Sequence, residues 1–187
     1  PDYLKQFKDK IIKIKFKNNF NFYKSREKQL LENVVVVIPA RGGSKRLPKK
    51  NILKIWGKPM IYWSIDAAKK SKYVDSIYVS SDDKKILNYA KKLKTKTIFR
   101  PKNLADDKTF KMEAVRHTIM NLKKKPSIIV SLQANSPDVK SYDIDKSIEK
   151  LINFNLNEII STDENFNQNG TLRVMKYFTA FQKDLST

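Results

Sequence analysis

Val34-Val-Val-Val-Ile-Pro-Ala-Arg-Gly-Gly-Ser-Lys-Arg-Leu-Pro-Lys-Lys-Asn51 is an apolar run that breaks into a cationic, glycine-containing loop. Four β-branched valines and Ile38 read as a buried strand. Pro39 ends the run, and the loop that follows holds Gly42, Gly43 and Ser44. A glycine pair lets backbone amides come close to an anion without Cβ in the way. A buried strand that empties into such a loop puts it at the carboxyl edge of a sheet, where α/β proteins bind nucleotides. Arg41, Lys45, Arg46, Lys49 and Lys50 supply charge to match a polyphosphate. The bland reading is a lysine-rich surface turn after a strand.

Working outward, the chain alternates strand and helix patterns from Val34 on, the mark of a mostly parallel sheet. Helices are predicted over 60–69, after Asp82 and Asp83, around Met112, Val115, Ile119 and Leu122, and over 143–154. Strands are predicted at 76–80, 97–99, 127–132, 158–161 and 171–175. Asp82 and Asp83 stand where the second helix would be capped. Asn169-Gly170 reads as a common turn dipeptide. Residues 1–33 form a lysine-rich extension of unknown role, with strand-like alternation at 11–16 and a short helix at 25–33. There is no internal repeat.

Composition bounds the rest. The 187 residues suffice for one α/β domain with a real core. No apolar run approaches the roughly 20 residues of a membrane helix. The first 33 residues lack the continuous apolar segment of a secretory leader, and cysteine is absent. Disulfides and thiolate zinc sites are thereby excluded, and a reducing cytoplasm is the expected compartment. The formal net charge is +20, and only six of the 39 basic residues are arginine. A polyanion-binding surface is one reading of that excess. The other is a general drift toward lysine, and it is favoured because arginine and aromatic residues are not clustered as nucleic-acid binders tend to show. The chain starts at Pro1 and ends at Thr187 without a cap signal, so a fragment or processed chain is expected.

The opening loop is neither Gly-x-x-x-x-Gly-Lys-Ser/Thr nor Gly-x-Gly-x-x-Gly. From Ala40 to Asn51 it resembles the signature of the CMP-sialic acid synthetase (acylneuraminate cytidylyltransferase) family: Ala-Arg-Gly-Gly-Ser-Lys, then Pro-x-Lys-Asn. Two further elements match in order. Arg100-Pro101, Leu104-Ala105 and Asp107 fit Arg-Pro-x-x-Leu-Ala-x-Asp. Leu132-Gln133 and Ser136-Pro137 fit Leu-Gln-Pro-Thr-Ser-Pro, with Ala134 and Asn135 departing. A Val-Ser-Ser-Asp82 run is similar to the family's Val-Ser-Thr-Asp.

The resemblance implies a three-layer, Rossmann-like nucleotide-diphosphosugar-transferase fold over residues 34–187, cut short at the C-terminus. It implies transfer of CMP from CTP to the anomeric hydroxyl of a nonulosonic acid, with release of pyrophosphate. Arg41 and Lys50 would neutralise the triphosphate during in-line attack. Ala40, Gly42, Gly43, Ser44, Lys45, Asn51, Asp82 and Arg100 would bind the nucleotide. Gln133, a donor and an acceptor at once, would read the sugar with Ser136. Mg²⁺ is the implied cofactor, but the family's Asp-x-Asp metal element would lie beyond Thr187. A homodimer is implied, although the short segment between Glu158 and Asn169 lacks the family's longer insertion before its Asn-Gly element.

Where the family continues with small hydroxyl residues, Lys108-Thr-Phe-Lys111 stands here, so no role carries over to Lys111. His117, the single histidine, is expected to be structural. The sister family that activates the eight-carbon sugar Kdo is the alternative enzyme. It has Gln-Gly-Asp-Glu-Pro at the third element and lacks the Lys-Asn pair; only Arg46-Leu-Pro48 leans its way. Two non-catalytic readings stay open on the same fold: a basic nucleic-acid-binding protein and an inactive truncated chain.

Overall fold

The computed structural model describes residues 31–44, 47–106 and 109–182. The strand expected at 11–16 lies outside these residues, as do Lys45, Arg46, Asp107 and most of the expected helix at 25–33. Only the end of that helix is described, as a 3-10 turn over Leu31–Asn33.

The first strand, β1 (Val34–Pro39), runs through the middle of the molecule. Val34 to Ile38 are each at most 1% exposed. Burying a side chain of this size contributes roughly 1.5–3 kcal/mol, so β1 anchors the core. Strand periodicity sends its residues to alternate faces. Val34, Val36 and Ile38 join the larger core cluster, and Val35 and Val37 the smaller.

A hairpin follows: β2 (Lys54–Ile55) pairs with β3 (Lys58–Pro59) across Trp56 and Gly57. Both turn residues have positive φ, 49° and 78°, as a tight two-residue hairpin favours. Then come α1 (Met60–Lys70), β4 (Ser76–Ser81), α2 (Lys84–Lys92) and β5 (Lys96–Phe99). They are followed by α3 (Lys111–Met120), β6 (Ile128–Leu132), α4 (Ser141–Asn153), β7 (Glu158–Thr162) and β8 (Gln168–Lys176).

The six-stranded sheet runs β5-β4-β1-β6-β8-β7. β5, β4, β1 and β6 are mutually parallel, with Ile38 opposite Val79 and Val36 opposite Val130. β8 runs against β6 and β7. Ile61 and Ile65 of α1, Ile86 and Ala90 of α2, and Ile144, Ile148 and Leu151 of α4 pack on one face of the sheet. Met112, Val115 and Ile119 of α3 pack on the other. The fold is the expected three-layer α/β arrangement with helices on both faces of a mostly parallel sheet.

Two local readings are corrected. Asn169-Gly170 is not a hairpin turn but lies inside β8, which starts three residues before the expected strand. The turn falls instead at Asp163, whose Oδ1 accepts from the Asn165 and Asn167 amides, 2.9 Å each. Gly170, at φ 66°, sits beside a register shift in the β7–β8 pairing, so its freedom serves a bulge. The helix cap is Asp83, whose Oδ1 accepts from Lys85 N at 2.6 Å, and not Asp82.

Candidate active site

Because β1, β4, β5 and β6 are parallel, their carboxyl ends open on one edge. The loops there carry Arg41, Asp82, Arg100 and Gln133. β8 is antiparallel, so its first half reaches the same edge, with Leu172 opposite Leu132. A cleft results that is lined by Arg41, Lys50, Asn51, Arg100, Lys111 and Gln133, among others.

The loop after β1 is tied at three points. Ala40, fully buried, donates its amide to Ser80 O at 2.9 Å. Gly42 N donates to Asp82 Oδ1 at 2.9 Å. Asn51 Nδ2 donates to Arg41 O at 3.0 Å, closing the loop on itself. The two glycines are not equivalent. A Cβ on Gly42 would stand 2.7 Å from Asp83 Cβ, whereas one on Gly43 would meet nothing within 4 Å. Gly42 is therefore required by the close approach of α2. Its amide is already held by Asp82, and Gly42, Gly43 and Ser44 do not line the cleft. Among the described residues of this loop, Arg41, Lys50 and Asn51 line the cleft.

Arg41 reaches across to Asp106 O at 3.0 Å. Lys50 enters from a 3-10 turn, Lys50–Ile52, whose preceding residue Lys49 has φ 56°. Asn51 is 4% exposed, and its Oδ1 has no hydrogen-bond partner among the described residues. Arg100 is 5% exposed; its backbone amide is fixed on Ser81 O at 2.9 Å. Its Nε and Nη2 are buried without hydrogen-bond partners among the described residues, and Nη2 is 4.0 Å from Asp82 Oδ1. Burial lowers the Arg100 pKa; Asp82 opposes that shift and Arg41 adds to it. The guanidinium stays charged, since arginine starts so far above neutrality. Buried donors without acceptors are costly, so a charged guanidinium with two of them is set up for an anion.

Gln133 and Ser136 come together as expected. Ser136 Oγ donates to Gln133 Oε1 at 3.3 Å, and Gln133 N is fixed on Thr171 O at 3.0 Å. That leaves the Gln133 amide nitrogen without a partner among the described residues. Ser136 is thus placed against the Gln133 side chain rather than in the cleft lining. Asp82 likewise holds the Gly42 amide and faces Arg100 rather than lining the cleft. His117 lies on α3 away from this edge.

Lys111, at the first turn of α3, was given no role by the sequence. Its ammonium is half-buried and donates to Gly170 O. Burial, and secondarily the Arg173 charge, pull its pKa down to about 8. The only signal in the chain was a lysine where small hydroxyl residues were expected. Beyond Lys111 a second cleft opens, lined by Phe110, Gln133, Gly170, Leu172 and Arg173. Arg173 pairs with Glu158 at 2.9 Å across β8 and β7, a contact too bent to count as a hydrogen bond to that oxygen.

Among the described residues no group of three or more His, Asp or Glu could hold a metal ion. Asp82, the carboxylate closest to the loop, is committed to Gly42 and faces a cation. These residues do not by themselves fit a Mg²⁺ site. Likewise, no helix among the described residues is long and apolar enough to cross a membrane.

Comparisons with known proteins place this arrangement. The sequence profile of the cytidylyltransferase family matches residues 35–184. A pseudaminic acid cytidylyltransferase of Campylobacter jejuni is 41% identical over 120 residues, covering 62% of this chain and 52% of that protein. N-acylneuraminate cytidylyltransferase B of Danio rerio is 33% identical over 125 residues, covering 67% of this chain and 29% of that protein. The chain therefore matches about half or less of the length of these relatives. Among solved structures, a CMP:2-keto-3-deoxy-manno-octonic acid synthetase complexed with CTP superposes with a TM-score of 0.65. Its identity is 17%, with 80% of this chain and 76% of that one covered, so the likeness is one of fold.

Proposed function

Because this chain belongs to the cytidylyltransferase family, we propose that its cleft binds CTP and passes CMP to the anomeric hydroxyl of a nonulosonic acid. The observation that carries this reading is the buried Arg100, whose unpartnered Nε and Nη2 share a cleft with Arg41, Lys50 and the open Oδ1 of Asn51. A triphosphate satisfies the three cations, and a base or ribose donor satisfies Asn51. Gln133, hydrogen-bonded by Ser136, presents a donor to the incoming sugar.

In this reading the sugar hydroxyl attacks the α-phosphorus and pyrophosphate leaves in line. Charge builds on the phosphoryl oxygens and the leaving group, and prepositioned cations that need not reorganise stabilise it. Arg41 and Lys50 do this, while Arg100 holds the nucleotide against the sheet edge. The enzyme of the Kdo pathway is the weaker alternative: it shares the fold, but the curated relatives with 30–41% identity act by name on pseudaminic or acylneuraminic acids.

Pyrophosphate release by the full-length protein, with CTP and a panel of nonulosonic acids and Kdo, tests the reading. Turnover with a nonulosonic acid supports it, and no release with any sugar acid refutes it. Repeating the assay with a chelator tests the Mg²⁺ dependence that the family resemblance implies. A homodimer and a cytoplasmic location, where CTP is made, belong to the same proposal; light scattering on the full chain checks the first.

A further inference from the structure

An ammonium drawn partly out of water ordinarily has a carboxylate beside it. Lys111 does not: among the described residues its half-buried Nζ hydrogen-bonds only the Gly170 carbonyl. The charged group that acts on it most is another cation, Arg173, which has Glu158 as its own partner. An ammonium has three N–H donors, and the Gly170 bond uses one. Lys111 also stands at a boundary. With Phe110 and Gln133 it lines both the cationic nucleotide cleft and the second cleft bounded by β8. Arg41, Lys50 and Arg100 already serve the first of these. The Lys111 bond to Gly170 draws its Nζ toward β8, on the side of the second. Gln133, proposed above to meet the sugar, lines both clefts with Lys111.

We propose that Lys111 is the residue that recognises the carboxylate of the acceptor sugar acid, holding it between Gln133 and β8 so that the anomeric hydroxyl faces the nucleotide. The inference rests on the proposed transferase reading. It adds a specificity device: an acceptor without the acid group leaves the Lys111 charge uncompensated. The ionised acid and the ammonium make a charge-assisted hydrogen bond, the strong kind.

The test uses the full-length protein and the Lys111→Met and Lys111→Arg variants, with unfolding followed in each to establish that it is folded. Initial rates are measured with the sugar acid varied at saturating CTP, and with CTP varied at saturating acid. Lys111→Met is expected to raise the acceptor KM about 10- to 100-fold, to leave the CTP KM within about twofold, and to be partly rescued in Lys111→Arg. An acceptor carrying a carboxamide in place of the carboxylate should react poorly with the wild type and suffer no further loss in Lys111→Met. A raised CTP KM with an unchanged acceptor KM would assign Lys111 to a phosphate and overturn the proposal. Equal KM values in wild type and Lys111→Met overturn it too, while leaving the transferase reading intact. If the wild type releases no pyrophosphate at all, the transferase reading fails separately. Calorimetric titration of the same sugar acid then decides on Lys111: weaker binding to Lys111→Met supports its role, and equal or absent binding overturns it.

Discussion

Gly42→Ala and Gly43→Ala differ by one residue in sequence, yet the structure demands opposite outcomes. An alanine at 42 puts its Cβ 2.7 Å from Asp83 Cβ, while one at 43 has open space. Carbon atoms settle at roughly 3.5–4.0 Å, so about 1 Å of movement is needed. Asp83 yields little, because it caps α2 through Lys85 N. The loop must move instead, and that weakens the 2.9 Å bond from Gly42 N to Asp82. Overpacking of this kind costs about 1–3 kcal/mol. The lower end applies here, because the loop can shift outward at exposed Gly43. That is about 3 °C in Tm for a chain of this size. The functional cost is larger, since a displacement of about 1 Å in catalytic groups can cost about 100-fold in rate. Arg41 sits next to the moved residue. Pyrophosphate release and thermal unfolding, measured in parallel on the full-length variants, separate the two effects. Gly42→Ala should lose about two orders of magnitude in kcat/KM with a small change in Tm, and Gly43→Ala should resemble the wild type. Equal losses in both variants would refute the steric argument, and wild-type rates in both would remove the loop from the mechanism.

Arg100→Met removes a buried charge that has no hydrogen bond at Nε or Nη2; stability without nucleotide should hold or rise, while the CTP KM climbs about 10- to 100-fold, and an unchanged KM would place the triphosphate elsewhere. Glu158→Gln takes the negative charge away from Arg173 in the sheet. Chemical denaturation should show a loss of about 1–3 kcal/mol, partly recovered when Arg173 is also replaced by Met. Lys111 has a folded pKa of about 8, below its ordinary 10.5. Between those values the unfolded chain holds the extra proton, so this group makes stability rise with pH from about 8 to 10.5, by up to about 3 kcal/mol. Below pH 8 both states carry the charge and its burial is a standing cost. Denaturation across that window should show a smaller rise for Lys111→Met than for wild type, and parallel curves would contradict the assigned burial.

Much of this site could be read from sequence because its chemistry follows the strand ends. The apolar run at Val34 to Ile38 could only be a central strand, and parallel neighbours then bring Arg41, Arg100 and Gln133 to one edge whatever the loops do. Loop detail was hidden for physical reasons. Asp82 and Asp83 are adjacent carboxylates, and only the backbone path decides which caps α2 and which reaches Gly42. Asn169-Gly170 is a turn by local preference, but pairing with β7 overrides that preference and makes it a bulge. β2 and β3 are two residues each, too short to leave a period. Lys111 looked like one more surface lysine in a chain of high positive charge. Its burial depends on Gly170 and Arg173, about 60 residues away, which no local pattern reports.

The most direct measurement is a crystal structure of the full-length protein with CTP. The account predicts the triphosphate against Arg41, Lys50 and Arg100, with Arg100 Nε or Nη2 bonded to it and Asn51 Oδ1 accepting from the nucleoside. A nucleotide bound elsewhere, or Arg100 still without an acceptor beside a bound CTP, would contradict it.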